Sequence, residues 1–202
     1  MGERCRRLVI VTGLLAVALL AGCGSDPKPK SGITIDTLAA ASGTACPVPL
    51  EVAADNSGID TPSPATGSVT AGEPSTATDP SSMAVSPLDE ANGVEVSCTL
   101  PLADGGAVDL LLIAARTDQA PLLVVAAAAD AAKLSRDQAT QLANDATRTA
   151  AGQLVPVPGS DAVAVMPTTV NGAASAAMVV SSNGLKRPQI EQIARQLDQR
   201  LH

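Results

Sequence analysis

The chain has 202 residues, a formal net charge of -7 and no Phe, Tyr or Trp. An acidic balance without a basic cluster excludes nucleic acid as a partner and electrostatic adhesion to an anionic membrane. The missing aromatics exclude stacking platforms for sugars or bases and aromatic cages for quaternary amines.

In chain order, Arg4, Arg6 and Arg7 make a basic start, and Leu8 to Ala21 is an apolar stretch broken only by Thr12 and Gly13. At 1.5 Å per residue those 14 residues reach about 21 Å, short of the ~30 Å hydrocarbon core. Residues 1–22 therefore read as a secretory signal and not as a permanent span. Arg6-Arg7 also fits a twin-arginine pair loosely; without Ser or Thr before it, general secretion is the better reading.

Leu20, Ala21, Gly22 and Cys23 then resemble the lipobox of bacterial lipoproteins. The small residues admit a peptidase to the backbone, and the thiol takes up the diacylglyceryl group. Cleavage before Cys23 leaves 10 basic and 19 acidic residues, a mature net of −9. The expected location is the extracytoplasmic face of a cell membrane. Membrane residence then rests on the lipid at Cys23, whose two or three acyl chains exceed the marginal binding of one.

Gly24 to Gly32 reads as a flexible part of the lipidated tether (residues 23–32). One α+β domain is expected over 33–202. Cys5 leaves with the signal, so Cys46 and Cys98 are the only free thiols, and an exported pair is expected to be oxidised. Leu38-Ala39-Ala40-Ala41 offers one or two helical turns. Residues 55–88 are Ser, Thr, Pro, Gly, Ala and Asp with almost no large apolar side chain, which predicts a disordered insert open to O-glycosylation.

Val94 to Leu102 alternates weakly and Ala107 to Ala115 is apolar; with the Ala103-Asp104-Gly105-Gly106 turn between them, 94–115 predicts a hairpin. Leu122 to Ala129 fits either a third strand or a helix. Ser135 with Gln138 makes a capping-box pattern before a helix over 135–151, with Ala139, Leu142, Ala143, Ala146 and Ala150 on its apolar face and Gly152 after it. Ala162 to Met166, bracketed by Pro158-Gly159 and Pro167, predicts a short strand; Val170 to Ser181, interrupted at Asn171-Gly172, predicts another. Ile190, Ile193, Ala194, Leu197 and Leu201 form one stripe of a helix over 187–201. The fold class is α+β: a small, mainly antiparallel sheet with two packed helices behind a lipidated tether.

From Cys46 onward the layout resembles the small secreted lipoproteins of unknown function common in actinobacteria. The matching residues are the lipobox, Cys46-Pro47, Cys98 on a hairpin, Val157-Pro158-Gly159 and the helix from Ile190 to Leu201. The chain departs from that pattern in lacking an aromatic near Cys98 and in its long Ser/Thr/Pro insert. The resemblance implies a location and an α+β fold, with no settled activity.

The inventory disfavours an enzyme. The sole histidine, His202, is expected to fray, leaving no supply for triads or His-rich metal sites, and no cofactor or metal is expected. Ser25-Asp26-Pro27-Lys28 matches S-x-x-K in letters only. Glu95 and Asp109 are carboxylates on neighbouring strands, read as solvated hairpin faces. Two classes remain: an envelope interaction or sensing module that meets a protein or glycan, and a carrier holding a lipid in an Ala/Val-lined cavity.

Overall fold

The computed structural model describes residues 32–73 and 86–202. The signal, the lipobox, Cys23, most of the tether and residues 74–85 of the insert lie outside the described residues. The described chain falls within one unit, Ser31–His202.

Five strands form one antiparallel sheet: β1 (Thr66–Ala71), β2 (Gly93–Pro101), β3 (Ala107–Ala115), β4 (Val163–Thr168) and β5 (Ser175–Ser182), in the order β1-β2-β3-β5-β4. Six helices accompany them: α1 (Ile35–Ala39), α2 (Leu50–Asn56), α3 (Pro87–Glu90), α4 (Ala120–Ala131), α5 (Arg136–Arg148) and α6 (Arg187–Leu201). The protein is α+β with a small antiparallel sheet. Among the described residues no helix is long and apolar enough to cross a membrane.

The side-chain period of two divides the core. Val108, Leu110, Leu112 and Ala114 of β3, with Met166 of β4 and Met178 of β5, join α1, α2 and α6 on one face. Ile113 and Ala115 of β3, with Val163, Val165, Ala177 and Val179, join α4 and α5 on the other. Burial on both faces is why β3 and β5 are largely apolar, apart from Asp109 and the terminal serines of β5. Strand β2 buries Gly93 at its start and then Val94, Val96, Cys98 and Leu100, which alternate with Glu95, Ser97 and Thr99.

The two expected helices are present, on opposite sides of the sheet. α5 starts at the Ser135 capping box, with Ser135 Oγ accepting from the Gln138 amide at 3.3 Å. It stops at Arg148, before Gly152, and leaves Ala150 exposed. In α6 the stripe Ile190, Ile193, Ala194, Leu197 and Leu201 is buried to 1% exposure or less. The ambiguous Leu122–Ala129 run is helical, with Pro121 in the first turn of α4.

Two expectations are corrected. The described parts of the expected disordered insert, 55–73 and 86–88, are ordered: Asn56 ends α2, β1 pairs with β2 from Thr66 opposite Thr99 to Ala71 opposite Val94, and Ser86 caps the start of α3. Neighbouring strands, not local apolar content, supply the order; Gly67 N–H donates to Thr44 O at 2.8 Å on the outer edge. Pro167 does not bracket β4 but lies within it, opposite Ala177. It is tolerated because β4 is an edge strand, whose outer carbonyls on Val165 and Pro167 accept from Val155 and Gly152, both at 2.8 Å.

Candidate functional site

Cover over the sheet is uneven. α4 and α5 shield β4, β5 and part of β3, while the same face of β1 and β2 carries Thr66, Ser68, Thr70, Glu95, Ser97 and Thr99, all but Glu95 exposed and Glu95 half-buried. Register aligns them in rows. Thr66 stands opposite Thr99, Thr99 opposite Asp109, and Asp109 opposite Ser181. The next row is Ser68, Ser97, Leu111 and Val179, and the third is Thr70, Glu95, Ile113 and Ala177. Each row therefore passes from hydroxyls to covered aliphatic side chains, or, for the first, to the half-buried Ser181.

Adjacent strands lie about 4.8 Å apart and residues two apart along a strand about 6.8 Å, so the hydroxyls make a flat, regular lattice. Thr99 Oγ1 donates to Asp109 Oδ1 at 2.7 Å, which orients that carboxylate along the row. Glu95 and Asp109 both lie on this open face, as expected of solvated hairpin faces. Glu95 is four residues along β2 from Thr99, the partner of Asp109, which separates the two carboxylates by roughly 14 Å. Paired-carboxylate hydrolysis needs about 5–10 Å, so these two do not form such a pair. No Lys or Arg stands in the three rows, and the face is acidic and rich in donors and acceptors.

On the opposite face, Cys46 and Cys98 are joined in a disulfide, Cα to Cα 5.5 Å, that ties the loop before α2 to the middle of β2. Gly67 sits opposite Cys98, and a Cβ there would meet Cys98 Sγ at 2.9 Å, Cys46 Cα at 3.0 Å and Ser97 O at 3.0 Å. Gly67 is thus part of the disulfide site, and composition alone placed it in a disordered stretch. The available signal was the β-branched set Thr66, Val69 and Thr70 around it. Beside the disulfide, Ile33, Pro47, Pro49, Glu51, Val52 and Arg200 border an open groove of about 600 Å³.

His202 is not frayed. Its Nδ1 lies 2.6 Å from Thr169 Oγ1 and its Nε2 3.5 Å from Asp198 Oδ1, while the buried Thr168 donates to the same carboxylate oxygen at 2.5 Å. This hydroxyl–imidazole–carboxylate chain fastens the end of α6 to the end of β4. The imidazole side chain is 47% exposed and that of Asp198 15%, so the chain runs from solvent at the imidazole to the buried Thr168. Among the described residues no three His, Cys, Asp or Glu side chains group to hold a metal ion.

The space between sheet and α6 bordered by Val48, Leu110, Leu112, Met178, Leu197 and Leu201 has no room for a water molecule. At this place small and branched side chains pack closely and leave no lipid-sized cavity. Comparisons with protein-family models, curated proteins and solved structures found no match.

Proposed function

We propose that the chain is a membrane-anchored extracytoplasmic lipoprotein, akin to the small actinobacterial lipoproteins it resembles, and that it works as a non-enzymatic interaction module. The lipid on Cys23 holds it at the membrane surface. The open half of the sheet meets a protein partner that brings Lys or Arg side chains to Glu95 and Asp109.

The observation that carries this reading is the row of exposed hydroxyls on β1 and β2, flanked by the half-buried Glu95 of β2 and the exposed Asp109 of β3, beside a half-sheet covered on both faces. A flat donor–acceptor surface without aromatic side chains suits a polar protein surface better than a glycan ring that needs stacking. The close packing under α6 favours this reading over carriage of a lipid.

A photo-crosslinking residue at Ser97, in cells expressing the full chain, is expected to give adducts of discrete mass; one at Gln192, exposed on α6, is not. Cys23→Ala should abolish metabolic labelling with an alkyne fatty acid and release the protein from the membrane. Equal adducts from both positions would remove the sheet face as the site. Equal fatty-acid labelling of wild type and Cys23→Ala would remove the anchor.

A further inference from the structure

Helix α4 differs from α5 and α6 in what it shows to solvent. α5 presents Arg136, Asp137, Thr140, Gln141 and Arg148 outward, and α6 presents Gln192, Arg195 and Arg200. α4, with the sequence APLLVVAAAADA, holds one charge, Asp130, at its C-terminal end. Ala120, Val124, Val125 and Ala128 are buried on the sheet side. Leu122 and Ala126 are exposed on the far side, with the half-buried Ala129 one turn on. Leu122 is 49% exposed, more than any other large hydrophobic among the described residues. A helix that is apolar all round ordinarily has neighbours all round.

We infer that the outer face of α4 pairs with the same face of a second copy of this chain, antiparallel about a two-fold axis near Ala126. The charges at the helix ends select this occupant. Asp118 lies just before α4 and Lys133 just after it; both are exposed, and neither forms an ion pair among the described residues. The antiparallel register that seats Leu122 over the second copy's Ala129 also brings Asp118 over that copy's Lys133, and the symmetry repeats both contacts. Parallel pairing would instead set Asp118 against Asp118. A closed two-fold contact of this kind is self-complementary.

Ala126 and Ala129 allow a close approach of the two helices, within the 8–10 Å axis separation usual for packed pairs. The contact is small. A helix of 12 residues is about 18 Å long, and one such face covers well under the ~800 Å² per partner of a stable interface. The pairing is therefore a weak, reversible one that depends on concentration.

The test uses the purified full chain with Ala126→Cys and a short bis-maleimide. Covalent dimer should form well above the levels seen with Gln192→Cys or with no added cysteine. Leu122→Lys in the Ala126→Cys chain should cut the yield roughly tenfold or more, since one buried Leu is worth at least a factor of ten in association. Asp118→Lys alone and Lys133→Asp alone should each lower the yield, and the double reversal should restore it. Lys133 has a φ of 52°, a conformation that Asp tolerates, so the reversal adds no backbone strain of its own. Circular dichroism of each variant separates lost pairing from lost fold. Yield no higher than the Gln192→Cys control overturns the inference, as does a double reversal no better than either single. Sedimentation of the unlinked chain with neutral lipid vesicles, dependent on Leu122, would assign the face to a bilayer instead.

Discussion

Strands β2 and β3 are hydrogen-bonded partners of nine residues each, yet one alternates and the other is nearly all apolar. The difference reports what covers them. β3 lies in the half of the sheet with long helices on both faces, while the second face of β2 meets, among the described residues, only the four-residue α3, whose Leu88 packs at Gly93 at one end of the strand. The covered half rests on packing. The open half, with fewer apolar side chains to bury, rests on a covalent link, a glycine and pairing to its neighbour.

Removing the link should have the largest effect. The disulfide joins residues 52 apart, and in the chain-entropy model closing such a loop destabilises the unfolded state by about 4 kcal/mol. Cys46→Ala with Cys98→Ala should lower the midpoint of chemical unfolding accordingly. Hydrogen exchange locates the loss: the amides of β1 should lose protection before those of β5. Equal loss in both strands would show that the halves do not differ in what supports them.

The covered half is best probed through α6. Ile193 is fully buried against the sheet, so Ile193→Ala removes apolar burial and leaves a cavity, a loss of roughly 2–5 kcal/mol. Gln192→Ala, one residue away and exposed, should shift stability by no more than about 0.5 kcal/mol. Urea unfolding that placed Ile193→Ala at the wild-type midpoint would mean that α6 contributes little to holding the domain.

Gly67→Ala tests the disulfide corner itself. Two of the three atoms a Cβ would meet are backbone and the third is the bonded Cys98 sulfur, none of them the free end of a flexible side chain. The overpacking should cost about 1–3 kcal/mol. In the chain lacking both cysteines the cost should shrink, because the Cys98 sulfur is gone. A cost that stayed the same would place the strain at Cys46 Cα and Ser97 O alone.

The same contrast governs what could be read before the structure. α6 was legible because its stripe keeps a 3.6-residue period over about three turns, and the 94–115 hairpin because its turn residues separate two runs of different pattern. Strand β1 was not, since Thr66, Gly67 and Ser68 look like linker residues until β2 and Cys46 stand beside them. α2 was missed for a related reason: its Leu50, Ala53 and Ala54 are buried, but the helix has only seven residues and no side-chain cap to announce it. The Cys46–Cys98 pair was legible from the expectation of export and from elimination of the other two cysteines. Gly67 and the lattice of rows were not, because register belongs to paired strands and not to either one.

The smallest expected effect is the most informative about function. Ser97 and Val179 lie in one row of one sheet face; Ser97 is exposed, and Val179 is 3% exposed beneath α4. Val179→Ala should cost roughly 2 kcal/mol through lost burial and a partial cavity. Ser97→Ala removes a hydroxyl that water already satisfies and should stay within about 0.5 kcal/mol of wild type. Residues that contribute nothing to folding are free to be chosen for contact with something else, which is the condition an interaction surface requires. A loss above about 1 kcal/mol for Ser97→Ala would show that the hydroxyl is already engaged within the chain. The open half-sheet would then be an internal surface, and the partner would have to be sought on another face.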